Sequence, residues 1–519
     1  MHIYPTRPAV HVAFAGAVVL LAGVIGQRPP IIAWGAAILI ALVFARAAAL
    51  VSVSRIRNAG FEMVWSEEKK VVATVRGAEV ELAAEVRNRD NLAARYVHLR
   101  PVASSHLLVS LEPTMGEVPA GGRLHVTVRV QTPRVGRHAI HGLSLEVQGA
   151  PGLFEVPLTF ANPYGIEVLP RPFSPLLLSA RGGRSRREAE LGRPGPMRGD
   201  GVDLRELREL LPGDSFKRIA WRASARRGKL IVREFEHDER DVVWLVLDAS
   251  VEHWAGVVGK APLDYGIDEV AAAARKHLGR GDSVGLAVFG GRLRGLLEPD
   301  RGPRHAHHIA LALTLSTATY DADRSELEER EVAARVLEHI RPLEPKFGRI
   351  KKYDLDRLAF HAEAAMSRAP FRATTPEAPT QREQSLRKYL AAFGIESPAR
   401  SDSEKIRTEE AMNRFFGRLA KRKPRPSLVH VWAPGPDYAK PEFVQALSQL
   451  RRVGATIRWT TPRVELPADP RDSVMAQAVT QAVLLRSHTA RKRAERVLAR
   501  MGVRMQRIRR YLPAESESP

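Results

Sequence analysis

Two apolar stretches near the N-terminus constrain this chain more than any other feature in it. Ala9 to Gly26 is apolar throughout, and Ile31 to Val53 is apolar apart from Arg46 and a few small polar residues. Each is long enough to cross the ~30 Å hydrocarbon core of a bilayer as a helix. Gln27-Arg28-Pro29-Pro30 between them is a tight, helix-breaking turn. A secretory signal peptide would begin with a stronger basic region, and here a second apolar stretch follows at once, so a transmembrane hairpin over residues 1–58 is expected. Arg46 sits near a helix end and can snorkel toward the headgroups. Arg46, Arg55, Arg57, Lys69 and Lys70 follow the second span, Arg7 precedes the first, and the turn holds Arg28 alone. By the positive-inside rule both termini, and the soluble domains with them, lie in the cytoplasm.

The remaining chain is too long for one core: 519 residues imply two or three domains. A formal charge of +22 points to an anionic partner, which could be nucleic acid, a lipid surface or an acidic protein. The absence of cysteine excludes disulfides, thiolate-bound zinc and thiol nucleophiles.

From residue 59 to about 170 the pattern is one of short alternating runs. Glu79 to Val86, Tyr96 to Val102, Arg123 to Val130 and Ile140 to Val147 are separated by turn-rich pieces such as Pro119-Ala120-Gly121-Gly122. Strands at this spacing predict an antiparallel β-sandwich of immunoglobulin-like kind, acting as a spacer or interaction module. Ser179 to Asp200 is rich in Arg and Gly and reads as a loop, either a solvated linker or an anion contact. From Val242 to residue 465 strands alternate with helices. Val242 to Ser250 is a continuous apolar run with a polar tip. Helices follow at Ile267 to Leu278, His305 to Leu315, Glu326 to Ile340 and Pro441 to Arg452, and strands at Asp282 to Phe289, Leu428 to Ala433 and Ala455 to Trp459. That alternation predicts a doubly wound parallel sheet. A polar, basic insertion with helical patches interrupts it from about 345 to 426.

Between these regions, in a linker and hairpin segment at 171–241, lies Leu211 to Glu236. Pro212, Gly213 and Asp214 make a turn signal, and Arg218-Ile219-x-Trp221 and Ser224-Ala225-Arg226 follow. The stretch closes on the alternating Leu230 to Phe235, which includes Arg233 and Glu234. The full spacing P-G-D-x-x-x-R-I-x-W-x-x-S-A-R-x-x-x-L-I-V-R-E resembles the signature of the domain of unknown function number 58 family. Ala220 departs from it, standing where that family carries Asp or another polar residue. The resemblance implies a bacterial, membrane-anchored, two-pass protein of the inner membrane. It also implies that a von Willebrand factor A-like α/β domain follows the signature, and that a MoxR-type AAA+ ATPase, usually encoded alongside, is the partner.

In A-domains an Asp-x-Ser-x-Ser at the first strand's tip holds a divalent cation, so the resemblance makes Asp248 and Ser250 metal candidates, with Asp437 beyond a later strand. Glu252 replaces the second Ser, and of the nearby Thr314, Thr317 and Thr319 none can be assigned. A hard cation such as Mg²⁺ wants an all-oxygen shell. Either the site works or Asp248 only caps its strand. His305 and His308 could share a helix face but have no acidic partner at ligand spacing; a solvated helix start is the simpler reading. P-loop and dinucleotide-binding patterns are missing from the sequence. Trp221 is expected to fill the core beneath the hairpin. Arg218, Arg222, Arg226 and Arg227 either form a docking surface or pair with Asp214 and Glu234.

The segment 466–519 contains Ala490 to Tyr511, a basic amphipathic helix by its spacing. Arg491, Lys492, Arg493, Arg500 and Arg504 would place it on the inner leaflet or an acidic partner; the alternative is a helix capping the α/β domain with its stripe in the core. Three functions follow. The first is a membrane-anchored, non-enzymatic adaptor that docks an AAA+ ATPase. The second is an Mg²⁺-dependent hydrolase of an anionic polymer using Asp248, Ser250 and Asp437. The third is a nucleic-acid-binding membrane protein, which rests on charge alone and lacks interleaved aromatics.

Overall fold

The computed structural model describes residues 3–149, 151–171, 193–212, 214–239, 241–254, 257–316, 328–343, 354–373, 378–395, 402–434, 441–461 and 473–506. They fall into two compact units whose segments alternate along the chain: 1–168 with 318–398, and 169–317 with 399–519.

The first unit opens with a short strand, β1 (Tyr4–Pro5), and two apolar helices, α1 (Arg7–Ile25) and α2 (Pro29–Gly60). Thr6 caps α1 by accepting from the Ala9 N–H, and prolines occupy the first turn of both helices, where their missing N–H costs nothing. Their mean hydropathy, 2.2 and 2.4, is that of membrane spans. The helices pack through small residues. A Cβ on Gly35 would lie 2.5 Å from the Leu20 nitrogen, and one on Gly23 would lie 2.6 Å from the Ile32 nitrogen. Close backbone approach at these glycines supplies the contact between the two helices. At 32 residues α2 is about 48 Å long, more than a bilayer core needs. Its later turns instead bury Ala49, Val53 and Ile56 against the strands that follow.

Ten strands come next: β2 (Phe61–Trp65), β3 (Val71–Val75), β4 (Glu79–Asn88), β5 (Ala94–Ala103), β6 (Leu108–Glu112), β7 (Gly116–Val118), β8 (Arg123–Gln131), β9 (Gly136–Gly149), β10 (Phe154–Phe160) and β11 (Tyr164–Leu169). The four runs expected from the sequence are β4, β5, β8 and β9. They make two antiparallel sheets, one ordered β2-β4-β8-β6 and a seven-stranded one around the long β9. Both send alternate residues into one shared core, such as Val126, Val128 and Val130 from β8 and Leu143, Leu145 and Val147 from β9.

The second unit begins with β12 (Arg193–Glu209), a 3-10 turn at Phe216–Arg218, the short helix α3 (Trp221–Arg227) and β13 (Ile231–Glu239), which returns antiparallel to β12. Then come β14 (Val242–Asp248), α4 (Pro262–Leu278), β15 (Ser283–Phe289), β16 (Leu293–Asp300) and α5 (Gly302–Ser316). The chain returns to the first unit for α6 (Glu329–Leu343), α7 (Leu355–Ala365) and α8 (Gln381–Phe393). It re-enters the second with α9 (Asp402–Leu419), β17 (Leu428–Trp432), α10 (Pro441–Arg452), β18 (Thr456–Thr460), α11 (Val474–Arg500) and β19 (Arg504–Gln506). The six-stranded sheet runs β16-β15-β14-β17-β18-β19, parallel except for β16 at its edge. Trp244 and Val246 of β14 meet α9 and α10 on one face, while α4 packs on the other, with Gly266 near Leu247. Burial on both faces explains why β14 is apolar throughout rather than alternating.

Two expectations are corrected here. Residues 345–426 are not one insertion in the α/β sheet. α6, α7 and α8 have a small core of their own and lie with the antiparallel sheets of the first unit, where His339 of α6 meets His141 of β9 edge to face at 4.2 Å. α9 belongs to the parallel sheet, with Phe415 and Phe416 in its core. The C-terminal helix also differs from expectation: α11 ends at Arg500, and Arg504–Gln506 pair parallel with β18 as the last strand of the sheet. Ala494, Leu498 and Val503 are buried, so this segment packs on the sheet rather than projecting away from it. Residues 507–511 lie outside the described residues.

Candidate functional site

The sheet's strand order dictates where a site can form. From β14 the chain winds outward through β15 to β16, then crosses back to β17 on the other side of β14 and winds outward again to β18 and β19. Beyond the C-terminal ends of β14 and β17 the connections diverge, and open α/β sheets bind their ligands in that crevice. Here a small cavity is lined by Asp248 at the β14 tip, Glu409, Met412 and Asn413 of α9, Ala433 and Pro434 after β17, and Phe443 and Trp459.

Asp248 is buried, and so is His253, whose Nε2 has no hydrogen-bond partner among the described residues. The Asp248 Oδ1 accepts from the Ser250 N–H at 2.9 Å, closing a tight turn, and its Oδ2 lies 3.4 Å from that Nε2. Burial pushes its carboxyl up, but the His253 imidazole and the Ser250 hydroxyl and N–H outweigh that and hold it below its ordinary value. His253 comes from a 3-10 turn, Val251–Trp254, directly after β14. Its signal was a histidine five residues after the strand-tip aspartate. This arrangement does not fit a hard cation, because an imidazole stands against the oxygen that a metal would take. Asp437, Thr317 and Thr319 lie outside the described residues. Thr314 donates to Ala310 O within α5. No group of three or more acidic or histidine side chains could hold a metal among the described residues. His305 bonds the Val284 carbonyl and is buried, whereas His307 and His308 are exposed, so the helical histidines do not converge.

Deeper in the same sheet, His430 of β17 stacks on Trp432 at 3.6 Å and contacts Thr460 Oγ1 at 3.0 Å. Burial, then the charges of Arg458 and His277, push it down to about 3, so it is a neutral core group.

The segment around Leu211 is held by Asp214, whose two oxygens take a bidentate bond from Arg208 at 2.7 Å each while Oδ2 also accepts the Leu211 N–H at 2.8 Å. Planar pairing of this kind is among the stronger charged contacts. The acid's partner is thus Arg208, outside the signature. Pro212 is exposed at the turn, and Gly213 lies outside the described residues. Ser224 is buried and its hydroxyl accepts the Ile231 N–H at 2.9 Å, while the Ala220 N–H reaches Ile231 O, tying α3 to β13. Gly228 ends α3 with φ of 67°, where a side chain would be strained. Trp221 corrects an expectation: it is 65% exposed, and Ile219, Ala220 and Ile231 fill the space beneath instead. Phe216 is 73% exposed, and Leu207, Leu211 and Leu230 are exposed too. Lys217, Arg222, Arg226, Arg227 and Arg233 are exposed on the same module; Arg218 is half-buried, and the side chain of Glu234 lies outside the described residues. At the C-terminus Arg491 pairs with Glu495, while Lys492, Arg493, Arg500 and Arg504 are exposed.

Fold and site together define a multidomain α/β protein with two N-terminal helices suited to a membrane anchor and a basic hairpin module leading into a parallel sheet. The family model "Protein of unknown function DUF58" matches residues 206–342, from β12 to α6, and supports membership of that family. No curated protein matches the chain. Among solved structures, a PapD-like domain of human CEP192 is 15% identical, covering 21% of this chain and 85% of that one at a TM-score of 0.17. The secreted serine protease VesC from Vibrio cholerae is 10% identical over 23% of this chain and 25% of its own, also at 0.17. WR4, a C. elegans MSP family member, is 8% identical over 21% and 96%, at 0.15. Likenesses this slight carry nothing about fold or function.

Proposed function

We propose that the protein is a membrane-anchored, non-enzymatic adaptor. Its hairpin sits in the cytoplasmic membrane, its soluble units face the cytoplasm, and its α/β unit, of von Willebrand factor A-like kind, docks a partner protein. The partner implied by the family resemblance is a MoxR-type AAA+ ATPase. One observation carries this reading: Phe216 and Trp221 stand in solvent on the signature module, among Arg222, Arg226 and Arg227. Aromatic and arginine side chains supply most hot spots of protein interfaces, and a large exposed aromatic gains most from a partner's pocket. The imidazole of His253 set 3.4 Å from Asp248 Oδ2 favours docking over metal chemistry at the strand tip.

The test is capture of a purified MoxR-type AAA+ ATPase by the detergent-solubilised full chain. The wild-type chain should retain it. The double change Phe216→Ser and Trp221→Ser should weaken retention at least tenfold without lowering the thermal midpoint, since neither side chain is in a core. Equal retention by both proteins, or by neither, sinks the proposal.

A further inference from the structure

At the foot of the hairpin, α2 and the turn after β4 border a wide, open groove of about 690 Å³ lined by Leu50, Val51, Ser54, Arg55, Asn58, Ala59 and Asp90. The helix register fixes its depth. Gly35 faces Leu20 and Gly23 faces Ile32, so Arg7, where α1 begins, lies level with Ala48 on α2. Counting from the turn at Pro29, a hydrocarbon core of ~30 Å takes ~20 helical residues and ends at the same level. The groove therefore opens at the height of the lipid headgroups, with apolar Leu50 and Val51 toward the membrane and the polar groups beyond.

Its chemistry is dipolar. Arg55 Nε lies 3.4 Å from Asp90 Oδ1, yet the Arg55 side chain is 57% exposed, and a guanidinium carries five donors. Asp90 is 5% exposed; its Oδ2 is buried and has no hydrogen-bond partner among the described residues. A buried carboxylate oxygen left without a donor is uncommon and marks a place where one belongs.

We propose that this groove binds the headgroup of a phospholipid carrying a primary ammonium, the phosphoethanolamine group. The phosphate lies on Arg55, with Ser54 and Asn58 as further donors. The ammonium donates to the Asp90 carboxylate, which presents Oδ2 by turning about χ2, and the acyl chains run along Leu50 and Val51. A choline headgroup offers no N–H to Asp90, and a glycerol headgroup offers no cation. The site rests on the hairpin being embedded in a membrane and is independent of any docking partner.

Native mass spectrometry of the detergent-solubilised full chain tests this, with phosphatidylethanolamine, phosphatidylcholine and phosphatidylglycerol of identical acyl chains at equal concentration. Phosphatidylethanolamine should be retained at least fivefold over each of the others. Asp90→Asn should abolish its preference over phosphatidylcholine. Arg55→Gln, a change at an exposed side chain, should weaken retention of phosphatidylethanolamine at least threefold. Equal retention of the three lipids by the wild-type chain, or a preference for phosphatidylglycerol, overturns the proposal whatever the variants do. A chain that stays dispersed without detergent would overturn the hairpin reading and the site with it.

Discussion

His141 and Asp248 show how burial changes what a side chain is for. Burial alone pushes His141 down to about 4, and burial together with the neighbouring His141 pushes His339 well below its ordinary value. The Tyr389 hydroxyl lies 2.8 Å from His339 Nδ1, so this cluster is held as neutral imidazole. The sign of the consequence is definite. An unfolded histidine takes up its proton near pH 6.5, while the folded one does so only near 4, so below 6.5 the unfolded state binds more protons and stability falls. The stability is fully present above pH 6.5 and drains away toward pH 4. At pH 5 His141 alone accounts for about 2 kcal/mol. The thermal midpoint of the full chain in detergent should therefore drop less between pH 7.5 and pH 5 in His141→Gln than in the wild type, and parallel drops would refute the assignment. Asp248 titrates the other way round in role: its depressed carboxyl contributes above its unfolded value and is lost only in stronger acid. The pairing of His141 with His339 was not legible in the sequence, because its partners come from segments whose approach no local pattern encodes.

At the scale of elements, the C-terminal segment shows periodicity resolving type but not address. The apolar spacing of Ala494 and Leu498 was visible, and so was the surrounding basic charge. What could not be read was the surface that the stripe meets. Leu498 is fully buried in the core beneath β17 and β18, and β19 adds to the sheet's edge. Leu498→Ala should cost about 2–5 kcal/mol, seen as a fall in the denaturant midpoint of the second unit. Lys492→Gln and Arg493→Gln, on the exposed side, should stay within about 0.5 kcal/mol of the wild type. If the costs were reversed, the helix would not be docked as described. The buried stripe leaves those outward cations in solvent.

For the whole molecule, the alternation of segments between two units changes where the chain can be cut. Excising 318–398 and bridging the gap with a flexible linker should leave the second unit folded, because α6, α7 and α8 bury their apolar faces with one another in the first. Excising 345–426 instead removes Phe415 and Phe416 from the core of the parallel sheet and should leave it unfolded. Far-UV circular dichroism and the cooperativity of melting of the two shortened proteins separate these outcomes. An equally cooperative melt for both would contradict the division.

What the sequence determined by itself were features written in local pattern. The two membrane-length helices, the alternating strands from β4 to β9, the continuous apolar β14 and the hairpin with its Asp214 turn each carry a period or turn chemistry that acts over a few residues. Only the tertiary structure decided which core received α6 to α8, that Trp221 faces water, that His339 meets His141, and that the last residues complete a sheet. Those outcomes depend on which surfaces meet after the chain has folded back. Burial between distant segments follows shape and available area, which residue spacing along the chain does not specify.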